Sequence, residues 1–575
     1  MKKYYLAAII AIFCFIEKTN AQAPNWLWAK TIGGIGNDIG RSVAVDDSGN
    51  VFVGGSFEGT VDFDPGPGVY NMTSAGILDA YFIKLDASGN LVWANQIGGT
   101  HSDLVIAMAT DLGGNLYLTG RFGNTVDFDP GPGVNNITAG GINFDFFITK
   151  YTNAGVYQWA EAITGQGDTQ CHSLKLDSAG NIYGSGYFTG SADFNPGSGI
   201  YALVSNGNND AFVFKLENSG GFIWAKSFGG PLYDAANGIA VDGISNVYIT
   251  GYYNGNIDFD PGAAVVNSGQ AGGNDIFISK FTEGGNFIWT RTMGGVQQDV
   301  GISVYSDFDG NVYSSGNFLG SGDFNPGNPV VTLNSNGNAD VYTSKLTKTG
   351  DFVWAGSFGS PGSLSGIDNN YAMAADADGN IYTSGYFRGQ VDFNTGSGTF
   401  ILTSFGDNDA YITKTDSAGN FIWTKRVGGA FSEIAHSITV DNTNHLVVCG
   451  SYMSGPLYMD VDTIINLSAP QTGDIFIARL DSAFINTGLS SIDMANNISI
   501  YPNPAQDQIV INCASIKDMD AVITILDVAG KEVYRTNSNS VQRISIPTKE
   551  LSNGLYIVRI QTADFTTAKK VLVEK

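Results

Sequence analysis

One tryptophan setting recurs seven times along the chain, at Trp28, Trp93, Trp159, Trp224, Trp289, Trp354 and Trp423, in steps of 65, 66, 65, 65, 65 and 69 residues. In most copies a basic or polar residue and then a glycine pair follow. A second marker keeps the same period: an aspartate opening an apolar run, at Asp79, Asp145, Asp210, Asp275, Asp340, Asp409 and Asp474. Two independent markers on one period mean that the chain is an array of one repeated supersecondary unit, whose faces are buried by its neighbours. Each period holds four short strand-like runs. In the first they are Ser42–Asp46, Asn50–Phe57, Ala80–Asp86 and Leu91–Ile97, with tight Asp-Ser-Gly and Ala-Ser-Gly turns after the first and third.

The fold class is therefore all-β. Glycine at 75 of 575 residues, with 35 Phe and 26 Tyr, fits many tight turns between half-buried strands. Four short antiparallel strands per unit is the anatomy of a propeller blade, and small residues such as Ile106-Ala-Met-Ala-Thr suit a crowded innermost strand. The ends of the array point to a ring. The position 14 residues after Asp474, where a tryptophan is due, is Gly488, and no fourth strand stands there. An orphan fourth strand, Asn25-Trp-Leu-Trp-Ala-Lys, precedes the first unit instead. The expectation is that it completes the last unit beside Asp474–Leu480, leaving no open sheet edge. Val43-Ala-Val-Asp-Asp-Ser-Gly-Asn-Val-Phe-Val-Gly-Gly-Ser-Phe, with kin at Ile239–Tyr252 and Ala372–Phe387, resembles the bacterial seven-bladed β-propeller repeat family. The resemblance spans about residues 25–481; it implies a fold and carries no agreed ligand or activity.

Function is expected on the side of the ring that gathers the longer loops. An acidic residue four positions after the glycine pair recurs there, as Asp38, Asp103, Asp168, Asp234, Asp299, Asp368 and Glu433. Such a series implies carboxylates around the channel mouth, suited to a cation or a basic ligand group. The competing reading has each carboxylate accept backbone N–H groups and fix a loop. The same side is expected to carry Asp-Phe-Asp-Pro-Gly, with Asp62 and Asp64, Asp127 and Asp129, and Asp258 and Asp260; Asn195, Asn325 and Asn394 replace the second aspartate elsewhere, and Asp460-Val-Asp462 is a decayed copy. Oxygens two residues apart are candidate calcium ligands, but the spacing lacks a full calcium loop, and an Asx-Pro-Gly turn with the Phe tucked beneath explains it more simply. No other cofactor is suggested. Lys84, Lys150, Lys215, Lys280, Lys345, Lys414 and Arg479 recur in the third strand and read as solvated or locally paired.

Of four histidines, His101, His172, His436 and His445, none has zinc spacing, and no nucleophile elbow, phosphate loop or dinucleotide fingerprint stands in credible context. His101 and His436 read as interblade loop residues, and the long step around Gly359–Asn370 breaks the symmetry locally. A net charge of −25 argues against nucleic acid and an anionic membrane surface. The expected function is non-catalytic binding or adhesion to a polysaccharide or protein, by a monomer; the alternative is a propeller-based glycoside hydrolase or polysaccharide lyase.

Residues 1–21 read as a signal peptide: Lys2 and Lys3, an apolar run Tyr4–Ile16, then Thr19-Asn20-Ala21. The run is too short for a good membrane span, and no other stretch approaches one. Cys171, Cys449 and Cys513 are too scattered for a disulfide framework. A linker is expected at 482–497 and a small β-sandwich, immunoglobulin-like, at 498–575. Tyr501-Pro502-Asn503-Pro504, Ile525–Lys531, Leu551–Val558 with Gly554 and Tyr556, and the ending Lys569-Lys570-Val-Leu-Val-Glu-Lys closely resemble the type A C-terminal sorting domain of the type IX secretion system. That resemblance implies a Bacteroidota-like cell, engagement of the secretion machinery through the tail, and delivery to the outer-membrane surface or the medium.

Overall fold

The computed structural model describes residues 24–481, apart from 142–143, 268–271, 362–366, 454, 460–462 and 466–472. It also describes 498–575, apart from 502–504, 514–520, 527–530, 539–542, 550 and 563–565. Residues 1–21, expected as a signal peptide, and 482–497, expected as a linker, lie outside the described residues. Two compact units result, one within Asn25–Ser482 and one within Ala483–Lys575. Every described regular element is a β-strand, and every ladder pairing named strands is antiparallel.

The first unit is built from seven four-stranded meanders of one design. In the first, Ile39–Val45 pairs with Val51–Phe57, that with Asp79–Leu85, and that with Leu91–Ile97. The third strand is buried at all seven positions, which is why it reads as an unbroken apolar run behind its aspartate. The turn between the first two strands is closed by Asp46, whose Oδ1 accepts from Ser48 N and Asn50 N, both at 3.0 Å, while Gly49 takes φ 76°. The first strands pack side by side in chain order, and Glu433–Val440 of the last lies against Ile39–Val45 of the first. The orphan strand Trp26–Gly34 pairs with Gly473–Leu480, Trp28 opposite Arg479 and Ile32 opposite Ile475, supplying the fourth strand of the last meander.

The recurring markers join one repeat to the next. Trp93 Nε1 and Lys84 Nζ both donate to the carbonyl of Asn153 in the next repeat's turn, at 3.1 and 3.5 Å. Trp289 with Lys280 does the same at Lys348 O, Trp354 with Lys345 at Ser417 O, and Trp28 with Arg479 at Ala87 O. The basic series is thus locally paired: Lys84 is 5% exposed, bridges to Asp46 at 3.2 Å and sits 5.0 Å over the Phe52 ring.

The connection between second and third strands, expected among the longer loops of one side, is itself regular. It folds as a small hairpin, Thr60–Asp62 with Asn71–Thr73, that pairs with the outer strand of the preceding meander, Gly33 opposite Asp62 and Gly34 opposite Val61. The glycine pair after each tryptophan strand permits this approach. A Cβ on Gly33 would fall 2.0 Å from Asp474 Oδ1, and one on Gly34 2.7 Å from Thr60 O. Apolar clusters accordingly run between adjacent meanders; Val51, Phe57, Phe63 and Tyr81 pack with Ile475 and Ile477.

The second unit holds two sheets. Ile498–Tyr501, Gln508–Cys513 and Arg543–Pro547 form one; Glu532–Ser538, Ala521–Leu526, Gly554–Thr562 and Thr566–Val573 form the other. Alternate residues of these strands, among them Ile509, Ile511, Ile523, Ile525, Tyr556, Val558, Ile560, Val571 and Val573, make one core.

Candidate functional site

Every first strand carries a one-residue irregularity at the same place, between Gly40 and Ser42 in the first repeat and at the matching step in the other six. A bulge re-aims the extra residue out of the ladder. The seven residues so placed are Arg41, Ile106, His172, Asn237, Ile302, Tyr371 and His436, and all seven line one cavity of about 380 Å³ between the first strands. They differ from repeat to repeat, whereas the positions beside them are filled mostly by small residues. A second variable position lies on the neighbouring strand near the same end: Ser56, Arg121, Tyr187, Tyr252, Asn317, Tyr386 and Ser451.

The two sets meet. His172 packs edge-on against Tyr187 with centroids 5.3 Å apart and shares a 3.1 Å contact between Nδ1 and Asn237 Oδ1. Tyr371 contacts His436 at 4.9 Å and Tyr386 at 6.1 Å, and His436 Nε2 lies 3.1 Å from Ser451 Oγ. Burial drives the His436 imidazole down to about 3, with the Arg41 charge adding to the effect, and lowers His172 likewise, so both rings are neutral at pH 7. The Arg41 guanidinium is lowered by burial and then by the like charge of Arg121. Arg121 lies 4.5 Å over the Phe144 ring. Lys175, further along the cavity and also lowered by burial, is its other formal cation, and no Asp or Glu lines it.

The acidic series takes a different place. Asp38 Oδ2 accepts Gly34 N at 2.8 Å and its Oδ1 accepts Glu58 N at 3.1 Å, tying the preceding fourth strand to the end of the second. Asp103, Asp234 and Asp299 repeat the clamp on Gly99 and Gly123, Gly230 and Asn254, and Gly295 and Leu319. Asp368 holds Ser360 and Arg388, and Glu433 accepts from Gly429. All six are buried and none lines the cavity. Burial raises Asp38 and Asp103 to about 6, Asp299 to about 7 and Glu433 to about 8. Asp168 does not belong to the series. The equivalent residue is Thr169, whose N–H donates to Phe144 O as Asp103 N does to Leu78 O, and whose hydroxyl donates to Asp145 at 3.2 Å. The loop keeps its length, Thr169 following Trp159 at the same spacing as Asp103 follows Trp93; a threonine fills the acidic place and Asp168 stands one position before it.

The Asp-Phe-Asp-Pro-Gly segments sit at the outer rim, on the hairpins. Asp62 Oδ1 accepts Asp64 N and Tyr70 N at 3.1 and 2.8 Å, Asp64 Oδ1 accepts Gly66 N at 2.8 Å, and Phe63 is fully buried. Asp127 with Asp129 and Asp258 with Asp260 have the same bonds. No group of three or more metal-ligating side chains occurs among the described residues. Asp460 and Asp462 lie outside them. His101 is on an exposed loop beside Asn124, as expected; His436 is not a loop residue but lies within Glu433–Val440 and lines the cavity. His445 closes a turn against Asp441. Of the sorting residues, Tyr501 ends a strand, Gly554 begins one, Tyr556 is in the core, and the backbones of Lys569 and Lys570 pair with Val558 and Ile557; Pro502, Asn503 and Pro504 lie outside the described residues. The signal for the cavity residues was available in the repeat: three residues after the acidic position or Thr169, seven copies show five different side chains where most flanking residues stay small.

The sequence family described as "Beta-propeller repeat" matches residues 27–56 and 223–258, and "Secretion system C-terminal sorting domain" matches 499–574. The chain thus carries β-propeller repeats followed by a type IX secretion C-terminal sorting domain. Such a tail engages the type IX machinery and directs export to the cell surface or the extracellular space. No helix among the described residues is long and apolar enough to cross a membrane. An uncharacterized WD repeat-containing protein of Acanthamoeba polyphaga mimivirus is 26% identical over 582 residues, 87% of this chain and 40% of that protein. The regulatory protein FlaEY of Caulobacter vibrioides is 31% identical over 100 residues, 17% of this chain and 10% of its own length. The chain therefore spans less than half the length of either curated relative. The crystal structure of Sqt1 from Chaetomium thermophilum superposes with a TM-score of 0.36 at 10% identity, covering 80% of this chain and 100% of that one.

Proposed function

We propose that this is an exported binding protein: a closed seven-bladed propeller, displayed outside the cell, that holds a ligand without transforming it at the mouth of its central cavity. In this reading residues 1–21 are removed on passage to the periplasm, the propeller occupies 22–481, 482–497 is a linker, and 498–575 is an immunoglobulin-like sorting domain. Ring closure is supported by the pairing of Trp26–Gly34 with Gly473–Leu480 and by the contact of Glu433–Val440 with Ile39–Val45. The observation that carries the binding role is the break in symmetry. The repeats keep their clamps, turns and staples, yet the bulged position varies around the ring and all seven bulged residues line one cavity, with a second variable position on the neighbouring strand beside them.

Two measurements test this. Deleting residues 498–575 is expected to hold the protein in the periplasm; undiminished surface delivery would refute the sorting role. Affinity electrophoresis of the protein through gels containing a panel of polysaccharides is expected to show retardation without loss of the polymer, and shortening of a polymer would refute the non-catalytic role.

A further inference from the structure

Two arginines, Arg41 lining the cavity and Arg121 on the neighbouring second strand, are treated differently from the other cations of the chain. Arg479 bonds Asp441 and the carbonyls of Gly49 and Ala87, Lys215 and Lys414 meet Asp177 and Asp376, and Arg291 caps the carbonyls of Thr349 and Gly350. Arg41 and Arg121 are close enough to repel each other, and no ion pair holds either of them among the described residues. The Nε of each is buried without a hydrogen-bond partner, as is that of Arg479, whose other guanidinium nitrogens are bonded. Confining like charges while leaving donors unmade is unfavourable, and among the described residues no carboxylate lines the cavity beside Arg41; Asp168, which faces Tyr187 as Arg121 does, accepts from Phe144 N at 3.3 Å and forms no ion pair with Arg121. An anion supplies what both guanidiniums lack, and their planar forks match the two oxygens of a carboxylate or a sulfate.

The rest of the mouth specifies what carries the anion. Tyr187 and Tyr386 are half-buried, Tyr371 is exposed, and His172 and His436 are uncharged there. Asn237, Asn317 and Ser451 add neutral donors and acceptors. Aromatic faces beside neutral hydrogen-bonding groups suit a polyhydroxylated ring, whose C–H face stacks while its hydroxyls bond.

Building on the binding role proposed above, we infer that the mouth takes the anionic end of a saccharide, its oxyanion between Arg41 and Arg121 and its ring against the neighbouring tyrosines. The test is isothermal titration of the chain lacking residues 1–21 with oligogalacturonate, sulfated dextran oligomer, neutral dextran oligomer and oligoglutamate. Variants Arg41→Gln, Arg121→Gln and Arg41→Lys are compared with Arg388→Gln, which removes an exposed arginine paired with Asp407. At least one acidic saccharide is expected to bind tenfold or more tightly than neutral dextran, weakening at higher salt. Each glutamine variant should weaken it tenfold or more, Arg41→Lys should weaken it less than Arg41→Gln, and Arg388→Gln should leave it unchanged. Binding of the galacturonate alone assigns a carboxylate, and of the dextran sulfate alone a sulfate. Urea midpoints as high in the glutamine variants as in the parent show that weaker binding is not unfolding. Tighter binding of oligoglutamate than of any saccharide, or no binding of either acidic saccharide, overturns the inference. Binding of neutral dextran that both glutamine variants retain overturns it while leaving the binding role standing.

Discussion

Arg479→Met tests how the array is sealed. The guanidinium is 5% exposed and lies where the last repeat meets the first, donating to Asp441, to Gly49 O at 3.0 Å and to Ala87 O at 3.1 Å. Methionine preserves most of the stem's packing, so the change isolates the charge and its donors. Removing one partner of a buried ion pair costs about 3–5 kcal/mol. The lower end applies, because Asp441 keeps bonds from Thr443 N and His445 N at 2.8 Å and from Thr443 Oγ1 at 2.7 Å. Ala87 O keeps Trp28 Nε1 at 3.0 Å, whereas Gly49 O loses a charged donor, adding about 1 kcal/mol. The expected loss is therefore about 4 kcal/mol in urea unfolding followed by tryptophan fluorescence. Amide exchange should show where it falls: protection should drop first in Trp26–Gly34 and Gly473–Leu480, the strands whose partners are farthest apart in sequence. The matching change Lys414→Met, within the array against Asp376 at 3.1 Å, should leave those strands protected. A loss below about 1 kcal/mol for Arg479→Met, or unchanged exchange in Trp26–Gly34, refutes the reasoning.

Phe63→Ala should lower stability by about 3–5 kcal/mol in the same urea assay, since the ring is fully buried with centroids 5.2 Å from Phe57 and 4.9 Å from Tyr81. Stability should rise as pH falls from 8 to 5.5: Asp299, Asp340 and Asp474 are raised to about 7 and Glu433 to about 8, chiefly by burial, so the folded chain holds protons that the unfolded chain gives up. That contribution is complete below the ordinary carboxylate range and is lost as pH rises through 7 and 8. His172 and His436, held neutral, act oppositely below the ordinary histidine value but are fewer, and Asp46, Asp177, Asp376 and Asp441, lowered by their bonds and cations, remove stability once pH drops below the carboxylate range. A urea midpoint no higher at pH 5.5 than at pH 8 contradicts this sign. Burial pushes the Cys171 thiol up to about 12 and raises Cys449, so iodoacetamide should leave both unlabelled in the native protein and label both in urea, read by peptide mass spectrometry.

Periodicity and local chemistry were legible in the chain itself. The tryptophan and aspartate spacings located the four strands of each repeat to within a few residues; the first strand begins at Ile39 rather than Ser42, because its opening Ile-Gly-Arg lacks the alternation that marks a strand. The missing strand after Asp474 and the spare one at Trp26 implied their pairing, since a strand edge must find a partner. In the tail the ordered motifs marked a small β unit without fixing how its strands divide between two sheets. Tertiary structure decided the rest. Which residue a bulge turns into the cavity depends on how seven first strands crowd together, and residue type alone does not mark it. Where the Asp-Phe-Asp-Pro-Gly segments lie depends on an edge offered by the preceding repeat. A recurrent side chain such as Asp38 or Lys84 proved to serve the joints, because each repeat needs the same ones; the side chains free to differ, Arg41 and Arg121 among them, are those that the joints do not use.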